Sequence, residues 1–304
     1  MAEVRIRRAT REDAVAIAAV ANAETQALYG EPDADAATVG GWFELPELGM
    51  FVAEVDGRVA GYADVRRDED GARFPLDVRV HPELGGRGVV EALVDALEQW
   101  ASARAQPNAL LRAFVAERDR TYRQEIERRG YELVRHSFTM EIDLPEAVDA
   151  PEWPAGLTVR TYDPDHDEVP VYEAVQESFA DHWDFHPIPL ETWRSFRDAD
   201  PRFEPALWWV VEDDGEVAAV CLNGWSYTGD PTLGWIETLG VRRPWRRRGV
   251  ALALLRHSFR DFAARGATRV GLGVDAENTT GAVRLYERAG MRPVRRQDQY
   301  SRTL

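Results

Sequence analysis

The chain has 304 residues, 44% of them apolar, with ten tryptophans, a composition that suits two folded domains of roughly 150 residues and excludes a disordered chain. Acidic residues outnumber basic ones, 53 to 37, for a formal charge of −16, so the overall field repels free nucleic acid while favouring solubility and cationic partners. A single cysteine, Cys221, excludes an intramolecular disulfide; no run approaches ~18 apolar residues and the opening Met-Ala-Glu-Val-Arg-Ile lacks the apolar core of a leader, so a cytoplasmic protein without a membrane span is expected.

In chain order, Val4-Arg-Ile-Arg-Arg-Ala-Thr10 reads as a strand leading into a helix from Asp13, with Thr10 as its N-cap. Residues 51–55 and 58–65 alternate around Asp56-Gly57, a two-residue hairpin signal. Val80-His-Pro-Glu-Leu-Gly-Gly-Arg-Gly-Val-Val90 precedes a helical run from Leu93 to Trp100, and Glu127-Arg-Arg-Gly130-Tyr131 reads as a helix stop. Residues 144–156 hold three prolines without periodicity and mark a linker, placed at 145–156. Beyond it, 157–162 is a strand, a helix follows from about Asp165, and 206–212 and 216–222 alternate around Asp214-Gly215. Cys221 sits in that apolar run as a packed strand residue. Residues 232–241 form the next strand, 252–262 a helix and 269–274 a strand. In the closing helix Ala282, Leu285 and Tyr286 share a face, and Gly290 stops it.

The same plan occurs twice. Gly88 corresponds to Gly249 and Gly130 to Gly290, at offsets of 161 and 160 residues, a period far too long for a solenoid. The expected domains are 1–144 and 157–304, each a mixed, twisted sheet with helices. The copies differ in chemistry: Gly85 stands in the place of Arg246, Val90 in that of Ala251, Ile126 in that of Tyr286 and Leu76 in that of Glu237. The first copy is therefore read as catalytically degenerate.

Val241-Arg-Arg-Pro-Trp-Arg-Arg-Arg-Gly-Val-Ala251 is a strand end, an arginine-rich turn and a helix start. Free backbone N–H groups and the positive helix end meet there, a ready site for pyrophosphate. The pattern Arg246-x-x-Gly249-x-Ala251, with Asn278-x-x-x-Ala282-x-x-Leu285-Tyr286-x-x-x-Gly290-Met291 downstream, resembles the GCN5-related N-acetyltransferases (GNAT). Met291 replaces that family's usual Phe. The resemblance implies an α+β fold of two tandem acyl-CoA N-acyltransferase domains, each a mostly antiparallel sheet flanked by helices. It further implies direct acetyl transfer from acetyl-CoA, as co-substrate, to an amine.

In resembling enzymes a Glu at a bulge before the phosphate loop serves as base, which points to Glu237. Ideal alternation puts Glu237, Leu239 and Val241 on one face, and a carboxylate half-buried beside Trp235 and Tyr286 would have the raised pKa that a base needs. Backbone N–H groups at Leu239 and Val241 would stabilise the oxyanion, and Tyr286 would protonate or hydrogen-bond the departing thiolate. Arg246, Arg247, Arg248, Gly249, Val250 and Ala251 would hold the CoA phosphates, with Asn278 anchoring the loop near the cofactor arm.

The segment between the first two helices of the second copy holds Asp181, His182, Trp183, Asp184, Phe185 and His186. This concentration reads as the acceptor wall, with the aspartates holding a cationic amine and Trp183 offering a cation–π face. His182 and His186 have metal-like spacing, but Pro187 and Pro189 break the helix such a site needs, and no metal is assigned. The arginines lack interleaved stacking aromatics beyond Trp245, so no nucleic-acid partner is assigned. The reading is an N-acetyltransferase of a small amine, with a homodimer left open. The alternatives are a protein or peptide N-acetyltransferase and a non-catalytic acyl-CoA sensor.

Overall fold

The computed structural model describes residues 3–68, 71–145, 148–183, 185–200, 202–226, 228–278 and 280–304. The chain divides into two compact units: Met1–Ser137 with Tyr227–Gly229 and Arg296–Leu304, and Phe138–Ser226 with Asp230–Arg295.

The first unit runs β1 (Val4–Arg8), α1 (Ala14–Tyr29), α2 (Ala36–Trp42), β2 (Leu48–Val55), β3 (Arg58–Arg66), β4 (Arg73–Val80), α3 (Arg87–Ser102), β5 (Leu110–Ala116) and α4 (Arg120–Arg128), before β6 (Glu132–Asp143) begins. Strands β1 to β4 are antiparallel neighbours and β5 lies parallel to β4. Leu93, Leu97, Leu111 and Ile126 fill one core, while Ile17, Val39, Val52 and Tyr62 fill another.

The second unit repeats this order: β7 (Leu157–Thr161), α5 (Glu168–Phe179), α6 (Leu190–Ala199), β8 (Trp209–Asp213), β9 (Glu216–Trp225), β10 (Leu233–Val241), α7 (Val250–Ala264), β11 (Arg269–Asp275) and α8 (Ala282–Arg288), ahead of β12 (Arg292–Thr303). Strands β7 to β10 are antiparallel and β11 is parallel to β10. Strand β8 starts later than expected because Pro205–Leu207 forms a 3-10 turn, which the fixed φ of proline favours. Both hairpins turn as the sequence predicts, with positive φ at Asp56 and Gly57 and at Asp214 and Gly215. Among the described residues no helix is long and apolar enough to cross a membrane.

The duplication extends to side chains. Arg7 donates to Asp13 at 2.7 Å and to Glu54 at 2.7 Å, and Arg160 donates to Asp167 at 2.8 Å and to Glu212 at 3.1 Å. Each arginine ties the first strand of its copy to the next helix start and to the hairpin. The Arg7 guanidinium holds the Asp13 carboxyl down at about 2. Sequence periodicity gave no hint of this device, because its members lie 47 and 52 residues apart from their hairpin partners.

The units do not follow the expected cut at 145–156. Gln297–Thr303 pairs antiparallel with β5 in the first unit. There Asp298, 3% exposed, accepts from Arg123 at 3.1 Å and Arg296 at 2.8 Å and lies 2.8 Å from His136 Nδ1. In the second unit the last residues of β6 lie beside β11. Met140 is buried in that core, and Glu141 accepts from Arg269 at 3.0 Å. A cut at 145–156 thus separates each unit from a strand it contains. Prolines mark where periodicity stops, whereas an open sheet edge decides where a distant strand pairs.

Candidate active site

Strand β10 pairs with β9 from Gly234 to Ile236 and again from Thr238 to Val241, so Glu237 is the extra residue of a β-bulge. Parallel pairing with β11 ends at Ile236↔Leu272. Before the bulge Ser226 N–H donates to the Leu233 carbonyl; after it Arg242 N–H donates to the Ala218 carbonyl. The alternation therefore inverts. Leu233 and Trp235 turn their backbone groups toward β9, and Leu239 and Val241 turn theirs away from it, to the side β11 has left. These are the N–H groups expected to face an oxyanion.

The same bulge corrects the expected single face. A Cβ on Gly234 would meet Phe262 of α7 at 2.5 Å, whereas one on Gly240 would meet Ser178 of α5 at 3.0 Å. Leu239 and Val241 pack in the α7-side core, and Glu237 does not share their face. Nor is it enclosed beside Trp235 and Tyr286. It is exposed, with Oε1 3.3 Å from Arg202 Nη1 and 4.0 Å from where a Cβ on Gly224 would sit.

After β10 comes a 3-10 turn, Arg243–Trp245, pinned by the Trp245 indole donating to Asp213 at 2.7 Å. The chain then takes positive φ at Arg247 (62°) and Gly249 (87°). The first bond into α7 is from Ala253 N–H to the Gly249 carbonyl, and among the described residues no backbone hydrogen bond is donated from 247 to 252. Those N–H groups point outward at a helix N-terminus, as anion binding requires.

The first copy lacks this arrangement. Helix α3 starts at Arg87, two residues earlier by alignment, and Val89 and Val90 N–H both donate to the Gly86 carbonyl. Val89 and Val90 occupy the places of Val250 and Ala251, so the corresponding donors are spent. A Cβ on Gly85 would sit 1.9 Å from Val80, which leaves no room for an arginine there. The β3–β4 register runs unbroken from Gly61↔Val80 to Val65↔Leu76, so this copy also has no bulge at the matching point.

Tyr286 lies on α8, buried, and burial pushes its phenol up to about 12. The buried Cys221 thiol, also pushed up to about 12 by burial, forms a closed set with Asn223 and Ser258 at 3.0–3.4 Å. It is a packed strand residue. Asn278 accepts from Thr280 N–H at 2.8 Å, an Asx turn that shapes the loop ahead of α8.

The arginines are mostly engaged. Arg243 and Arg246 both bind Asp181, at 2.6 and 2.8 Å, and hold its carboxyl down at about 2. Arg246 also donates to the carbonyls of Val241 and Ser178. Arg242 binds Glu177 at 2.6 Å, and Arg248 lies 3.6 Å from Asp213. Among the described residues Arg247 alone of the five makes no ion pair. Asp181 therefore joins the segment after α5 to the arginine-rich turn before α7, its charge already compensated. His182 stacks on Phe179 at 4.4 Å and burial lowers its pKa. Trp183 and His186 are exposed, and Asp184 lies outside the described residues. Among the described residues no group of three or more His, Cys, Asp or Glu is placed to hold a metal ion.

A mixed sheet opened at a bulge, with a turn of unbonded backbone N–H groups before one helix and a buried tyrosine on the next, fits the acyl-CoA N-acyltransferase class. The chain belongs to the Acetyltransferase (GNAT) family, whose profile matches residues 15–131 and 169–291. It is a tandem GNAT N-acetyltransferase. It is 31% identical over 245 residues to a mycothiol acetyltransferase of Thermomonospora curvata, covering 77% of this chain and 76% of that protein. A mycothiol acetyltransferase of Thermobispora bispora is 27% identical over 295 residues, covering 93% and 94%. Among solved structures, a GCN5-related N-acetyltransferase from Sphaerobacter thermophilus aligns with TM-score 0.83 at 34% identity, covering 99% of this chain and 95% of that one. A tandem GNAT protein of the clavulanic acid biosynthesis pathway shares the fold, with TM-score 0.80 at 18% identity, 99% of this chain and 98% of that chain being covered.

Proposed function

We propose that the second half transfers an acetyl group from acetyl-CoA to the amine of a small molecule, while the first half does no chemistry. The contrast between the two helix starts carries this reading: donors free from Arg247 to Leu252 match donors spent at Val89 and Val90. Acetyl-CoA fits the second half because its pyrophosphate needs those N–H groups and its thioester carbonyl needs the pair at Leu239 and Val241.

In the reaction Glu237 accepts the proton of the attacking ammonium, directly or through water, freeing the lone pair that forms the C–N bond. The Leu239 and Val241 N–H groups hold the oxyanion while the C–S bond breaks. Tyr286 then faces the sulfur. Burial pushes this phenol up to about 12, which makes it a weak acid and a good hydrogen-bond donor at neutral pH. Tyr286 stabilises the sulfur by hydrogen bonding, and solvent completes its protonation.

The acceptor is of the kind that mycothiol acetyltransferases use, given relatives of that name along most of the chain. A cation anchored at Asp181 is disfavoured, because two arginines already neutralise that carboxylate. The test is thiol release from acetyl-CoA with that acceptor, with other small amines and with lysine peptides. Release stimulated at least ten-fold by a small amine is the expected result. Binding of acetyl-CoA without release for any amine would favour the sensor alternative.

A further inference from the structure

Asp200 ends α6, and Arg202 two residues later folds back on it, its Nε and Nη2 reaching Asp200 Oδ1 and Oδ2 at 2.9 and 2.6 Å. Its remaining nitrogen, Nη1, donates to the Trp225 carbonyl at 2.7 Å. Because Ser226 bonds Leu233, Trp225 turns its carbonyl away from β10, and β8 pairs only as far as Cys221. Arg202 thus satisfies a strand carbonyl that no neighbouring strand reaches. With its side chain 13% exposed, the guanidinium is fixed in orientation before it meets any substrate, since a forked bidentate pair is rigid.

The same Nη1 lies 3.3 Å from Glu237 Oε1. The carboxylate leans across β9 above Gly224, where the missing side chain leaves it room. Among the described residues Arg202 lies against the Glu237 carboxylate with Asp200 behind it; β9 presents Gly224, and β11 presents Gly271 under the Trp235 ring, with the Glu141–Arg269 pair beyond.

We propose that Arg202 is the positioning residue of the acetyl-transfer site: it fixes the Glu237 carboxylate at the bulge and keeps it ionised, and so sets the acid limit of turnover. The inference rests on Glu237 acting as the base. A bulged side chain with a third of its surface exposed samples several rotamers, and a fixed guanidinium selects the one that meets the incoming amine. A cation at this distance favours the charged carboxylate, so its removal moves the titration toward neutral pH. No motif marks this pair in the sequence, because its partners are 35 positions apart on a loop and a strand.

The test uses full-length protein carrying ¹³C at the glutamate carboxyl carbon. The Glu237 resonance is assigned by its loss in Glu237→Gln and titrated by NMR in native, Arg202→Gln and Arg202→Lys proteins. The proposal predicts a midpoint about one pH unit higher in Arg202→Gln and near the native value in Arg202→Lys. It also predicts that the acid limb of kcat/KM, measured with the most active amine of the screen, moves by the same amount while KM for acetyl-CoA stays within two-fold. A midpoint that does not move in Arg202→Gln overturns the proposal, as does a moved midpoint with an unmoved acid limb. Full turnover in Glu237→Gln removes the base reading itself, and is recognised separately because the carboxyl titration is read without any acceptor.

Discussion

Glu237→Gln lowers turnover by roughly 10²–10³, the range for losing a general base, and leaves acetyl-CoA binding intact. The amide keeps the size of the side chain and its place above Gly224 but cannot take a proton. Arg202 then loses one anionic contact and keeps Asp200 and the Trp225 carbonyl, so the fold holds. Tyr286→Phe removes one hydrogen bond to a developing thiolate, which is worth about ten- to a hundred-fold for a charged acceptor. The phenyl ring retains the packing of a residue only 9% exposed. Because burial holds the phenol near 12, Tyr286 stays protonated across the physiological range and its loss should be independent of pH below about 10. Thiol-release assays from pH 6 to 10 check both. Loss of acetyl-CoA affinity in Glu237→Gln would show that the residue serves binding.

The second large effect concerns the division of the chain. A fragment of residues 157–304 is expected to remain unfolded, whereas 138–295 folds cooperatively. The shorter cut removes Met140, which is fully buried, and the strand bearing Glu141, together with Trp153 packed 5.7 Å from His257. Truncating one buried Met costs about 2–5 kcal/mol, so losing a whole strand exceeds the 5–15 kcal/mol that holds a typical domain together. Residues 296–304, retained in that fragment, belong to the other unit, where Tyr300 is buried. Thermal melts followed by circular dichroism decide this. Equal cooperative melting of both fragments would show that the β6 strand is dispensable to the second unit.

Local signals were legible in the sequence. Asp-Gly pairs with positive φ made the hairpins readable, and so did the arginine-glycine turn and the helix bearing Tyr286, because each depends on residues within a dozen positions. The duplication was legible from two glycine landmarks, and the difference between the copies from Ile126 and Gly85. What escaped was non-local. The exchange of closing strands depends on which sheet edge is open. The inversion at Glu237 depends on a register slip that alternation cannot register. Arg202 and Asp181 found their partners 35 and 65 residues away, and a long arginine side chain carries no periodic trace of its target. Asp181 illustrates the consequence: read alone it is a site for a cation, and in the fold it is saturated.

The central claim is that the second half alone carries the cofactor chemistry, and calorimetric titration of acetyl-CoA into full-length protein tests it most directly. A Cβ at either Gly249 or Gly88 would meet nothing within 4 Å, but Gly249 has φ +87°, so Gly249→Glu also strains the turn and is compared with Gly249→Ala, which carries the strain without the carboxylate. The account predicts one site per chain, abolished by Gly249→Glu and retained in Gly88→Glu. Two sites in the native protein, or a single site lost in Gly88→Glu and kept in Gly249→Glu, would contradict it.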